Sequence, residues 1–494
     1  MSKFIKRLCV ILAVLMVLPL LVACGSGSSK SDNEGGGEYD IIDKVGEDVD
    51  YDGATFTILC REDNAWGEYL HEISADENET DVVNQAVYNR NLQLEERINV
   101  DLDIYAIAGQ WAVKDDFINT FRNSILAGDG AFDLIMSQQA YMCELGLNEL
   151  YVNYNEVPYI KDDLDAEYFY QDLVNELTVN NKLYYMVGDY SLTLWEYLYV
   201  LFFNKKIAEN ENIEDIYQLV RDGSWTVDKM IELAKGLYRD LDGSGYANED
   251  GDQYGYISDI VNTTDAWYSQ FDCQPTSKDA DGNVVISIDQ GKMVSILEKM
   301  NAFFQTEDVY SYYTNSSMTA DEPEFDNIFT EDRALFYDAT LSNAQKYRGM
   351  ETDFGIVPYP KWDESQADYY TQAQNGYSVA VIPIDVKNVE MSGAALDILS
   401  ATSYQLVIPA YYDVSLKNKY SRDEDSSEML DIIREGIKVN FGYFYYAPLG
   451  MGGIIRQMVK ENNSNFVSYY ASNSKGYQRN LNKILATYED SSED

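Results

Sequence analysis

The segment Thr55-Phe56-Thr57-Ile58-Leu59-Cys60 alternates apolar and polar positions and is rich in β-branched residues, which predicts a strand. Apolar residues at helical spacing predict a helix over 81–98. Alternation returns over 100–107, and a second helix follows over 115–126. After Ala127-Gly128-Asp129-Gly130, the run 132–136 reads as a short buried strand. The first third is therefore β-α-β-α-β, an order that predicts an α/β lobe with a mainly parallel sheet.

Two further apolar, aromatic strands are expected over 183–187 and 197–203, around Gly188-Asp189-Tyr190-Ser191. The second ends at Asn204-Lys205-Lys206 before a helix, and marks the expected first crossing between two lobes. Thr226 is placed as the N-cap of an amphipathic helix over 230–238. Strand-like and helical patches then alternate to Phe329. The stretches 333–337 and 353–358 bracket the expected return crossing, 379–384 reads as a strand, and the remainder to Tyr488 is mostly helical.

The N-terminus changes this picture. Lys3, Lys6 and Arg7 precede an uncharged apolar run over 8–23, then Cys24 and Gly25-Ser26-Gly27-Ser28-Ser29. This is an export signal with the small-residue ending Leu21-Val22-Ala23-Cys24, and it resembles the bacterial lipobox. The resemblance implies cleavage before Cys24 and lipidation of its thiol. Residues 24–38, rich in Gly, Ser and charge, are expected to be a flexible tether.

The formal net charge is −48, with 36 basic and 84 acidic residues. No basic cluster lies outside the signal, so nucleic-acid binding is discarded; the acidity reads as a solvated surface. Cys60, Cys143 and Cys273 are too far apart to suggest a disulfide framework or a zinc site.

Three motifs recur in an informative order: Tyr199-Val200-Leu201-Phe202-Phe203-Asn204-Lys205, Gly223-Ser224-Trp225-Thr226, and Phe354-Gly355-Ile356-Val357-Pro358-Tyr359-Pro360. Together they resemble the extracellular solute-binding proteins of ABC importers, closest to the carbohydrate-binding group that includes maltose-binding protein, with Phe203 where that group usually has Tyr. The resemblance runs from about Thr55 to Tyr488. It implies an α/β, two-lobed, periplasmic-binding-protein-like fold with discontinuous lobes that close by a hinge motion. The expected division is lobe one over 39–190 and 338–401, and lobe two over 191–337 and the mostly helical 402–494. It also implies a monomer outside the cytoplasm, anchored at Cys24, that delivers a solute to the ABC permease subunits and meets the membrane only through its lipid.

Sugars present apolar C–H faces and a rim of hydroxyls, so their sites combine aromatic platforms with polar side chains. The chain holds 42 Tyr, most of them expected in core or surface. Candidate contacts are residues near strand ends, where open α/β sheets bind ligands. Arg61, Asn64 and Trp66 follow the first strand, and Gln138 and Gln139 the third. Asp189, Tyr190 and Trp195 lie at the first crossing, Trp267 and Tyr268 follow Tyr254–Ser258, and Asn343 and Arg348 lie near the expected return. Trp225 is assigned to helix-entry packing.

The loop Asp240-Leu241-Asp242-Gly243-Ser244-Gly245-Tyr246 has the first half of an EF-hand pattern: Asp240, Asp242 and Ser244 as oxygen donors and the Tyr246 carbonyl at position seven. Gly251 stands where that pattern wants Glu, and Asp250 or Asp252 is expected to supply the carboxylate for a structural calcium ion. His71, the only histidine, sits in a polar stretch and reads as exposed, which leaves little basis for histidine-dependent catalysis. The rival reading is a secreted glycoside hydrolase using two carboxylates.

Overall fold

The computed structural model describes residues 42–63, 69–247, 251–258, 263–311, 325–420 and 424–489. The described residues from Asp43 onward form one compact unit, built on two principal sheets.

In the first sheet, β1 (Ala54–Arg61) runs parallel to both β2 (Val100–Ile107) and β3 (Leu134–Gln138). The connections are the helices Val82–Ile98 and Lys114–Ala127. Asp81 caps the first of these by accepting from the backbone N–H of Val83 at 2.8 Å, and Asn99 ends it in the left-handed conformation. β2 is the open edge. Its Asp101, Asp103 and Tyr105 face solvent, and charged edge residues of this kind discourage pairing with another chain.

The second sheet contains β4 (Tyr199–Asn204), buried along its whole length, and β5 (Tyr254–Ser258). The small hairpin of β6 (Thr276–Lys278) and β7 (Val284–Ile286) stands apart. With β8 (Val309–Ser311), β9 (Ala334–Thr340) and β10 (Phe354–Val357), the order is β10-β4-β9-β5-β8. The short β11 (Ser378–Val381) returns to the first sheet, antiparallel to β3.

Sheet membership corrects two expectations. The return to the first sheet was expected from Asp338, but β9 and β10 remain in the second. Packing fixes this: the Phe354 ring lies 5.8 Å from Phe202 of β4 and joins a cluster with Phe329 and Tyr347. The return runs through 358–377, where it lies beside the outgoing crossing. Tyr199 N–H donates to the Gln372 carbonyl at 3.0 Å and Gln374 N–H to the Tyr197 carbonyl at 2.8 Å. Residues 183–187 were expected as a strand but make one bridge, Met186 to Ala380. The Leu183 backbone is occupied instead by Asn153 and Tyr154, which draws it out of the ladder.

The helix Val389–Thr402 packs on Val82–Ile98 beside the first sheet. It continues as π-helical turns, Ser403–Val407 and Ala410–Tyr420, on either side of Pro409. Proline lacks the N–H that an α-helix interior requires, and wider winding accommodates the break. This stretch packs on both Val82–Ile98 and Glu424–Glu435, so chain beyond 402, expected in the second lobe, still touches the first. Glu424–Glu435 covers β10, and Phe466–Ala486 packs on Gln290–Phe304. Trp225 is fully buried at the helix entry, its indole N–H donating to the Pro358 carbonyl at 2.9 Å, and Thr226 caps the helix Val227–Ala234. Among the described residues, no helix is long and apolar enough to cross a membrane.

Candidate ligand-binding site

Parallel strands direct the residues at their C-terminal ends to one edge of the sheet. Arg61 ends β1 and Gln138 ends β3, so the two meet: Arg61 Nη1 donates to Gln138 Oε1 at 3.0 Å. Nη2 donates to the Gly376 carbonyl at 2.9 Å, and the guanidinium lies 3.9 Å from the Tyr69 ring centroid. Gln139, next in the chain, donates to the Phe444 carbonyl, while its buried Oε1 has no partner among the described residues.

The crossing helix Leu192–Glu196 is pinned to this edge. Buried Glu72 accepts from both the N–H and the hydroxyl of Thr193 at 2.8 Å, and Ser378 N–H donates to Thr193 Oγ1 at 2.9 Å. His71 Nε2 lies 3.0 Å from Glu196 Oε1. Burial opposes the imidazolium, but Glu196, with Glu72 and Asp63, outweighs it and raises His71 to about 9. His71 is thus a partly buried, charged member of an ion pair rather than an exposed residue.

On the second lobe, Asp265 is 2% exposed and accepts from Arg456 Nη2 at 2.5 Å. Burial pushes its carboxyl up to about 6, against the pull of Arg456. Gln372 of the return crossing fastens this segment, donating to the Asp265 carbonyl at 3.1 Å and accepting from Ser269 Oγ at 2.6 Å. The segment carries a cluster of buried polar atoms with no partner among the described residues: Asp265 Oδ1, Trp267 Nε1, both amide atoms of Gln270 and Gln274 Oε1, joined by Nε of Arg456. Buried polar groups are nearly always paired, so such a concentration marks a place built for something other than self-contact. Burial holds the Tyr443 hydroxyl well above its ordinary value, and it lies within the electrostatic reach of Asp265, Arg456 and Tyr377.

The expected contacts divide accordingly. Arg61, Gln138 and Gln139 come together, and Trp267 lies in the segment of unpaired groups, its ring 5.9 Å from Phe304 and 6.0 Å from Phe271. Tyr268 is buried and donates to the Met451 carbonyl at 2.7 Å. Tyr190 is a core strut, donating to the Met186 carbonyl at 2.7 Å and accepting from Ala380 N–H at 2.8 Å. Trp195 is 1% exposed, with Tyr412 5.5 Å away and Arg434 5.0 Å over its ring. Burial raises the nearby Asp189 carboxyl to about 7, against Arg434. Asn343 donates to the Tyr347 hydroxyl at 2.9 Å, and Arg348 is exposed. Asn64, Trp66 and Cys24 lie outside the described residues.

Sequence reasoning missed Asp265, Gln372, Tyr443 and Arg456. Arg456 is 191 residues from Asp265, and no local pattern announces the pair. Trp111 lies in the short turn Trp111–Val113 after β2. Trp111 is 53% exposed, with the Lys114 ammonium 3.8 Å from its ring centroid.

In the acidic loop, carboxylate oxygens of Asp240, Asp242 and Asp252 lie within 4.8 Å of one another. Asp240 accepts from Gly243 and Gly245 N–H, and Asp242 from Ser244 N–H. Fully buried Asp252 is approached by Leu241 N–H and the Tyr238 hydroxyl, each at 3.2 Å. The Ser244 hydroxyl donates to the Tyr246 carbonyl, and Asp250 lies outside the described residues.

The fold has relatives of known structure. The galacto-N-biose/lacto-N-biose I-binding protein of an ABC transporter from Bifidobacterium longum, in complex with lacto-N-biose, superposes with a TM-score of 0.58 at 13% identity, over 87% of this chain and 98% of that one. A cyclo/maltodextrin-binding protein complexed with maltotetraose gives 0.54 at 12%, over 88% and 96%. The chain has the two-lobed fold of the solute-binding proteins. A solute-binding protein of an ABC transporter from Agrobacterium radiobacter, in complex with ribitol, gives 0.52 at 12% identity, over 87% and 100%. No protein-family model and no curated sequence matches the chain.

Proposed function

We propose that the chain is the solute-binding component of an ABC importer, held outside the cytoplasm by a lipid on Cys24, and that it captures a carbohydrate without altering it. The observation that carries this reading is the set of unpaired buried groups on Asp265, Trp267, Gln270, Gln274 and Arg456. It supplies donors and acceptors in the mixture a polyhydroxylated ligand requires, beside aromatic rings. The solved relatives bound to lacto-N-biose, maltotetraose and ribitol favour the same ligand class. Asp265 is tied to Arg456 and supported by Gln372, a fixed recognition group rather than half of an acid–base pair.

A thermal-shift screen of the protein against mono- and oligosaccharides tests this, with each sugar recovered afterwards. Native-state binding raises the melting temperature by mass action. A stabilising sugar recovered intact is the expected result; a cleaved sugar would establish the hydrolase, and no shift across the panel would remove carbohydrate as the ligand.

We also propose that Asp240, Asp242 and Asp252 hold calcium, a cation that favours several hard oxygens in a flexible loop. Added calcium is then expected to raise the melting temperature of wild type but not of Asp242→Asn.

A further inference from the structure

Arg61 is 2% exposed, and its surroundings hold it still. A Cβ at Gly109 would come within 2.7 Å of Arg61 Cγ and 3.2 Å of the Tyr141 hydroxyl, so the backbone there closes directly on the arginine stem. The Tyr69 ring lies over the guanidinium, and Gln138 and the Gly376 carbonyl each take one N–H. These bonds use two of the five N–H groups that a guanidinium offers. Among the described residues, no carboxylate pairs with it.

The acids of this neighbourhood are turned elsewhere. Asp63 is exposed and accepts from the N–H groups of Tyr69 and Leu70, Glu72 accepts from Thr193, and Glu196 faces His71. Other buried arginines are better provided for. Arg456 pairs with Asp265, and Arg90 donates to Asn91, Ser403 and the Ile73 carbonyl. A buried cation is costly unless an opposite charge and hydrogen bonds compensate it. Asp265 and Arg456 cancel within the site, which leaves the charge of Arg61 in surplus.

We propose that the solute is an acidic sugar whose carboxylate is received by Arg61, a proposal that rests on the carbohydrate reading above. Arg61 stands at the C-terminal end of β1, the edge at which open α/β sheets bind ligands. It is tied to Gly376, while Gln372 of the same crossing fastens the Asp265 segment. Chain between positions 372 and 376 spans at most about 14 Å, which puts both groups within reach of one short oligosaccharide. The uncommitted N–H groups of Arg61 suit carboxylate oxygens, and charge-assisted bonds of this kind are about twice as strong as neutral ones. The net charge of −48 works against an anion. That repulsion is largely screened beyond about 8 Å at physiological salt, whereas contact with a buried guanidinium is not.

Titration calorimetry of the protein tests this with uronic acids of gluco, galacto and manno configuration, as mono- and disaccharides, each beside its methyl ester and its neutral parent sugar. Esterification removes the charge and keeps the ring. Wild type is expected to bind an acid at least about tenfold more tightly than its ester or parent, the scale of one hydrogen bond to a charged group. Arg61→Gln is expected to bind the acid and the ester alike. Should that variant fail to fold, the comparison of acid with ester in wild type still decides. A neutral sugar bound as tightly as its acid would overturn the proposal and leave the carbohydrate reading standing, whereas no binding by any member would remove both. A preference for the acid that survives in Arg61→Gln would overturn the role of Arg61. Glucose 6-phosphate and galactose 6-sulfate complete the panel, and tighter binding of either than of every uronate would overturn the carboxylate.

Discussion

Gln270 concentrates the tension between stability and binding in one side chain. It is 1% exposed and neither amide atom has a protein partner among the described residues. An unsatisfied buried polar group costs about 1–3 kcal/mol. Gln270→Met keeps the shape and removes the polarity, so it is expected to raise the melting temperature of the ligand-free protein while weakening sugar binding. A variant that loses stability would make Gln270 a structural residue. Asp265 gives a pH signature. Its folded value, about 6, lies above the unfolded carboxylate value of roughly 3.9, so its stabilising contribution is fully present below about 3.9 and lost as pH rises through 6. Binding should run the opposite way, because the anion pairs with Arg456 and accepts from hydroxyls. Titration calorimetry is expected to find weaker sugar binding below about pH 6, and Asp265→Asn to remove most of that dependence.

Among the elements, the crossing helix Leu192–Glu196 is five residues long and stands by its side-chain bonds rather than its own propensity. The His71–Glu196 pair is one of these bonds. The folded imidazolium value, about 9, lies above the ordinary 6.5, so the stability it confers is complete below about 6.5 and lost as pH rises through 9. His71→Ala is therefore expected to lower the melting temperature at pH 6 and to have little effect near pH 10. The sequence pattern made the parallel strands and the helix Val82–Ile98 legible, because alternation and capping are local signals. It could not reveal that 183–187 loses its ladder to Asn153 and Tyr154, or that β9 and β10 stay in the second sheet. Those outcomes depend on contacts between residues distant in sequence, such as Phe202 with Phe354.

At the scale of the whole molecule, the two-lobed architecture was legible from three motifs in order, while the site was legible only in part. Arg61 and Gln138 could be found because strand ends are predictable; Asp265 and Arg456 could not, because the fold alone brings them together. The crossings at 196–199 and 372–374 lie side by side, bonded through Tyr199 to Gln372 and Gln374 to Tyr197, so bending there would move both sheets with little disturbance to either core. Small-angle X-ray scattering, with and without the sugar that most stabilises the protein, tests the account most directly. A smaller radius of gyration with sugar, and the sugar recovered intact, is the predicted result. An unchanged radius at saturating sugar, or a hydrolysed sugar, would contradict it.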